Sequence, residues 1–153
     1  MYDHRVEELA EELLHAAQIL NDMGCLPATD GNFSARIDKE RVLLTARGIA
    51  KRDLMRRDLV EVRLAGDVPP TASTEWPMHR TLYQQRPEVN CVLHVHSPAL
   101  TAFAAAHKLP RIDLLAESMA TVGPIALAPF ASPGTAHPAS SAANGADPIE
   151  KNK

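Results

Sequence analysis

The sequence has little of what marks several large classes of protein. Only two of its 153 residues are cysteines, too few for the disulfide framework of a small secreted domain. No apolar run is long enough to span a bilayer and no secretory signal pattern opens the chain, so we expect a cytoplasmic protein. A formal charge of -3 leaves no general basic footprint for nucleic acid or membrane partners. No internal repeat is visible.

What is present indicates a globular domain. Hydrophobic residues make up 45% of the chain and charged residues 23%, and the length suits one domain with a proper core. From about residue 132 the sequence turns to Pro, Gly, Ala, Ser and Asn and loses all periodicity. We therefore expect a folded domain over residues 1–131 and a disordered tail over residues 132–153.

Apolar residues recur at helical or strand spacing along the folded part. These patterns predict helices over 4–23, from 73 or 74 to 85, and over 97–108. They predict strands over 33–37, 41–45, 59–64, 89–96 and 124–130. We expect Ser73 or Thr74 to cap the second helix. The third helix is rich in alanine, so we expect it to pack closely against the sheet.

The strand over 89–96 ends in two histidines. Alternate side chains of a strand share a face, so His94 and His96 are expected to point the same way. Two parallel imidazoles suit a divalent transition metal, usually zinc. Ser97 and Pro98 then start a helix, and strand ends of this kind carry ligands in open α/β sheets. The alternative is a pair of half-buried histidines with polar partners.

Small polar residues and glycines occupy three loops at strand ends or helix starts. The loops are 29–32, 46–48 and 73–75. Backbone amides, hydroxyls and a helix N-terminus together form an anion site suited to phosphate. Glu75 lies at the start of the second helix, where the helix dipole favours a carboxylate. This alone would account for a glutamate at position 75 without a catalytic role.

Several motifs carry a resemblance to a known family. They are Gly31-Asn32-Phe33-Ser34, Leu44-Thr45-Ala46-Arg47-Gly48, Ser73-Thr74-Glu75-Trp76 and His94-Val95-His96-Ser97-Pro98. In their order and spacing they resemble the class II aldolase/adducin family over residues 6–134. The resemblance implies a three-layer α/β/α fold with a central, largely antiparallel sheet, here lacking the C-terminal part, and assembly as a homotetramer.

The resemblance also implies a site. It places Zn²⁺ or another divalent metal on His94 and His96, with Glu75 as the acid/base carboxylate and a further contact to the metal. The phosphate of a sugar phosphate would lie against residues of the three loops, which are Gly31, Asn32, Gly48, Ser73 and Thr74. Arg47 stands where the aldolases have Ser or Thr, and it either pairs with a phosphate or carboxylate or faces solvent.

The function implied is a metal-dependent lyase. It would cleave a ketose 1-phosphate to dihydroxyacetone phosphate and an aldehyde through a metal-stabilised enediolate. The alternative within the family is dehydration of methylthioribulose 1-phosphate. A third possibility is a non-catalytic module like the adducin head, or an inactive truncated remnant.

This chain departs from the family at its third metal ligand, a histidine in a downstream His-Gly motif. The sequence ends before that region and resembles a truncated form of a longer protein. His137 lies in a different context and is not expected to replace the missing ligand. His79 is expected to be a surface or helix-packing residue rather than a ligand.

Overall fold

The computed structural model describes residues 3–128 except residues 115, 123 and 124. Its helices are α1 (His4–Asp22), α2 (Trp76–Gln85), α3 (Pro98–Ala105) and α4 (Ala116–Thr121). Its strands are β1 (Asn32–Arg36), β2 (Arg41–Thr45), β3 (Leu59–Arg63) and β4 (Cys91–His94). Short 3₁₀ turns cover Lys51–Asp53, Arg56–Asp58 and Ile112–Leu114.

The four strands form one sheet in the order β3-β2-β1-β4, and every neighbouring pair is antiparallel. β1 therefore lies between β2 and β4, with Ser34 opposite Leu44 on one side and opposite Val92 on the other. Its first residue, Asn32, is paired with His94. This register brings the loop before β1 to the same end of the sheet as the histidines.

The core lies on both faces of the sheet. On one face α1 packs its buried Val6, Leu9 and Leu13 against Phe33 and Leu43. On the other face, Val42, Leu44 and Val62 pack with Trp76 and Tyr83 of α2. Neighbouring residues of β2 thus enter different clusters, as the two-residue period of a strand requires. The predicted layers and the antiparallel sheet are confirmed.

Several predicted boundaries differ from the structure, and two of these affect the residues predicted for the site. α2 begins at Trp76 with Glu75 in the N-cap position, and the Ser73 hydroxyl accepts the Glu75 N–H at 3.2 Å without capping the helix. β4 ends at His94 and not at His96, because its partner β1 begins at the opposite residue, Asn32. The His96 N–H donates instead to the Cys25 carbonyl at 2.9 Å.

The prediction that the third helix packs closely against the sheet was also wrong. α3 has no buried residue, and its Leu100 and Phe103 are 49% and 40% exposed. Alanine side chains offer too little contact area to define a buried face, so composition alone misled the prediction. Residues 125–128 are not in a strand. The rest of the predicted 124–130 strand and the tail over 132–153 lie outside the described residues.

Candidate functional site

The three predicted loops meet around one cavity of about 490 Å³ at the end of the sheet. It is lined by Thr29, Asp30, Gly31, Asn32, Ala46, Arg47, Gly48, Lys51, Ser73, Thr74, Glu75, Met78, His94 and His96. Every residue that the sequence predicted for the site is in this lining. The structure therefore brings the predicted residues together, while the chemical role of each stays a prediction.

Backbone hydrogen bonds hold the second and third loops side by side. The Arg47 N–H donates to the Thr71 carbonyl at 2.9 Å, and the Ser73 N–H donates to the Thr45 carbonyl at 3.2 Å. An isolated antiparallel bridge joins Ala46 to Ala72. Because Arg47 and Ser73 directly follow the two bridged residues, they lie on the same wall of the cavity.

Lys51 ties the first loop to the second, and sequence reasoning missed it. Its ammonium donates to the carbonyls of Thr29 at 3.0 Å and Ile49 at 2.7 Å, and the residue is only 3% exposed. Burial lowers the Lys51 pKa, and the nearby Asp30 carboxylate partly opposes this. A lysine after a glycine loop resembles any surface lysine in sequence, so no local signal marked it.

The two histidines lie next to each other at the mouth of the cavity. The His94 and His96 ring centroids are 5.1 Å apart, with the ring planes tilted by 36°. Nδ1 of His94 lies 3.2 Å from Nδ2 of Asn32, and Nδ1 of His96 lies 3.5 Å from Oδ2 of Asp30. Burial and the neighbouring His96 lower the His94 pKa, against the opposing effect of Glu75 and Asp30. Lowering this pKa favours the neutral imidazole, the form that binds metals.

A chain of hydrogen bonds leads from His94 through Asn32 to the buried side chains of His79, Ser34 and Tyr83. Oδ1 of Asn32 lies 2.5 Å from Nε2 of His79, and Nδ1 of His79 lies 2.6 Å from the Ser34 hydroxyl. Ser34 in turn lies 2.9 Å from the Tyr83 hydroxyl. His79 is completely buried, and burial lowers its pKa to about 3. His79 is therefore neither a surface residue nor a candidate ligand in the cavity lining, but an internal partner of Asn32.

The donors fit part of a metal site. Metal-binding imidazoles usually donate one ring N–H to an acceptor and bind the cation through the other nitrogen. The Asp30 carboxylate is such an acceptor at Nδ1 of His96, whereas Nδ1 of His94 faces the Asn32 NH₂ group, a donor. Within the described ranges, however, no three side chains of His, Cys, Asp or Glu are grouped closely enough to hold a metal ion. Glu75 acts electrostatically on His94, and its part as a third ligand stays a prediction. His137 lies outside the described residues.

Comparison with known proteins identifies the family. The family described as Class II Aldolase and Adducin N-terminal domain matches residues 11–151, and this chain belongs to it. Methylthioribulose-1-phosphate dehydratase of Xylella fastidiosa strain M12 is 41% identical over 100 residues, covering 63% of this chain and 46% of the relative. The enzyme of that name from Methylococcus capsulatus is 39% identical over 105 residues, covering 66% and 50%. The chain thus spans about half the length of the curated relatives it matches.

Solved structures agree with this assignment. The L-fuculose-1-phosphate aldolase of Thermus thermophilus is 32% identical, with a TM-score of 0.61 over 65% of this chain and 51% of that chain. YgbL of Escherichia coli is described as a putative aldolase/epimerase/decarboxylase. The match to it covers 92% of this chain and 71% of the YgbL chain, with a TM-score of 0.77. At 24% identity, the second structure supports the fold alone.

Among the described residues, no helix is both long and apolar enough to cross a membrane.

Proposed function

We propose that this chain carries the site of a metal-dependent lyase acting on a ketose 1-phosphate, and that its reaction is the dehydration of methylthioribulose 1-phosphate. The observation that carries the proposal is the cavity that joins two adjacent histidines, the carboxylates of Asp30 and Glu75, and three loops of small polar residues and glycines. The relatives named for this dehydration support the choice of reaction. The expected homotetramer and cytoplasmic location belong to the same proposal.

The phosphate end of the substrate fits the wall formed by the three loops. Ser73 and Thr74 supply hydroxyls just before α2, where the backbone amides and the helix dipole attract an anion. Lys51 adds a buried positive charge, and Arg47 adds a guanidinium that can pair with two phosphate oxygens. Phosphate bound here supplies binding energy remote from the reacting carbons.

The reacting carbons would then lie between Glu75 and the histidines. Glu75 is held at the N-cap position of α2, in the cavity lining shared with His94 and His96. Its carboxylate takes the proton from the carbon next to the ketone and, as a general acid, returns it to the hydroxyl on the following carbon. That hydroxyl then leaves as water when its C–O bond breaks, and the enol that remains becomes the second ketone. A divalent cation held by His94 and His96 would polarise the ketone oxygen and stabilise the charge that proton removal creates.

Aldol cleavage to dihydroxyacetone phosphate and an aldehyde is the second candidate. The observation that favours it is the 32% identity to a solved L-fuculose-1-phosphate aldolase. The two reactions use the same carboxylate and phosphate site and differ in products. Dehydration releases water and leaves a diketone phosphate, whereas cleavage leaves a triose phosphate and an aldehyde.

Product analysis tests the proposal. We expect zinc-supplemented protein to convert methylthioribulose 1-phosphate to a product lighter by one water, and Glu75→Gln to abolish this while substrate still binds. Triose phosphate from a ketose 1-phosphate would support aldol cleavage instead. No turnover of either substrate, with substoichiometric zinc unaffected by His94→Ala, would favour the non-catalytic module.

A further inference from the structure

The chain of hydrogen bonds from Tyr83 to His94 has a definite direction. A neutral imidazole has one N–H donor and one acceptor nitrogen. The Asn32 amide presents its NH₂ group to His94 and its carbonyl to His79. Nδ1 of His94 is therefore an acceptor, and the His94 proton is on Nε2. By the same rule Nε2 of His79 donates to Asn32, and Nδ1 of His79 accepts from Ser34.

The far end of the chain fixes this direction. With Nδ1 of His79 as acceptor, the Ser34 hydroxyl donates to it and accepts from the Tyr83 hydroxyl. If every bond were reversed, Tyr83 would accept from Ser34 and its own proton would lose this acceptor. The direction set by the Asn32 amide is thus the favoured one, because every proton along the chain then has an acceptor.

This direction conflicts with metal binding at His94. A cation needs the lone pair of Nε2, so the His94 proton must move to Nδ1. A protonated Nδ1 cannot face the Asn32 NH₂ group, and the amide must turn by 180° to present its carbonyl. Its NH₂ group then faces Nε2 of His79, which must become an acceptor. The His79 proton consequently moves to Nδ1, and Ser34 donates to Tyr83.

We propose that the Asn32 amide is a positioning switch that couples the tautomer of His94 to that of His79, so that a divalent cation bound at His94 reverses the hydrogen bonds as far as Tyr83. This inference rests on the metal site of the proposed function. Every residue holds the same number of protons before and after the reversal, and the amide is the only heavy-atom group that has to turn. The Asn32 side chain is a partner of two histidines, separate from any contact of this residue with phosphate.

Imidazole ¹⁵N NMR of the whole chain tests the coupling, because protonated and unprotonated ring nitrogens have well-separated ¹⁵N shifts. Spectra are recorded with and without zinc, His79 and His94 are assigned with single Gln variants, and zinc stoichiometry is measured in parallel. We expect zinc to move the His79 proton signal from Nε2 to Nδ1, although His79 does not touch the metal. Zinc bound at His94 with His79 still protonated at Nε2 would overturn the proposed coupling, although it would still support the proposed metal site. No zinc at His94 would overturn both.

Asn32→Asp is the matched control, since a carboxylate accepts from both histidines without turning. In this variant we expect His94 to be protonated at Nδ1 before zinc is added and His79 to keep its Nε2 proton throughout. Asn32→Ala removes the partner of both rings, and we expect it to weaken zinc binding about 10- to 100-fold. A His79 proton that still moves on zinc addition in Asn32→Asp would contradict the role of the amide.

Discussion

The Ser34 hydroxyl lies 2.6 Å from Nδ1 of His79, and neither residue has exposed surface. Burial lowers the His79 pKa from 6.5 to about 3, so the unfolded chain binds a proton that the folded chain does not. Between these two pH values stability must therefore fall as the pH falls, by about 1.4 kcal/mol per pH unit. Above pH 6.5 the slope due to His79 declines, and it vanishes once the unfolded chain no longer binds the proton.

Urea unfolding at several pH values measures this slope. We expect the free energy of unfolding to be about 2 kcal/mol lower at pH 5 than at pH 7 because of His79 alone. His79→Gln keeps a polar side chain without a titrating ring and should flatten this part of the pH profile. Equal slopes for the variant and the wild type would rule out His79 as the source.

Gly31 and Gly48 offer a matched test of backbone packing beside the histidines. Both have positive φ, 77° and 74°, so alanine at either position costs about 1–2 kcal/mol in strain. A Cβ at Gly31 would also lie 2.5 Å from Cδ2 of Leu26 and 2.8 Å from the His94 carbonyl oxygen, whereas at Gly48 it meets nothing within 4 Å. We expect Gly31→Ala to cost a further 1–3 kcal/mol, roughly, for overpacking. If urea unfolding gave the same loss of free energy of unfolding for Gly31→Ala and Gly48→Ala, the His94 backbone would be shown to shift without cost.

Local pattern accounts for much of what the sequence predicted. The spacing of Val6, Leu9 and Leu13 reflects one buried helix face. The uninterrupted apolar run of residues 42–44 reflects a strand buried on both faces. The glycine loops followed from turn chemistry at the strand ends. The site residues were predicted from these loops together with the resemblance to a family.

What the sequence did not predict depends on long-range contacts. Ser34 and His79 are 45 residues apart, and Asn32 and His94 are 62 apart, so no local spacing links them. The buried Lys51 ammonium donates to the carbonyls of Thr29, 22 residues away, and of Ile49, and the first of these contacts cannot be found from local spacing. The end of β4 likewise depends on where its partner strand begins and cannot be found from the β4 sequence.

Lys51→Met tests the link between the first two loops. Methionine keeps an apolar stem but leaves the Thr29 and Ile49 carbonyls without the ammonium, a loss of about 1–3 kcal/mol for an unsatisfied buried group. Removing the positive charge should also weaken the binding of inorganic phosphate. Thermal unfolding and phosphate titration measure the two effects. Lys39, exposed in the turn between β1 and β2, is the control, and Lys39→Met should change neither quantity.

Arg47→Ala tests whether the arginine contacts the anionic end of the substrate. Arg47 is exposed and lines the cavity, while Arg52 is outside the lining and pairs with Asp53 at 3.3 Å. If Arg47 pairs with phosphate in substrate and transition state alike, its loss should raise KM about 10- to 100-fold and leave kcat nearly unchanged. High salt should narrow the difference from wild type, because it screens exposed charges. Arg52→Ala should match the wild type throughout. A KM for Arg47→Ala equal to that of Arg52→Ala would assign Arg47 to solvent.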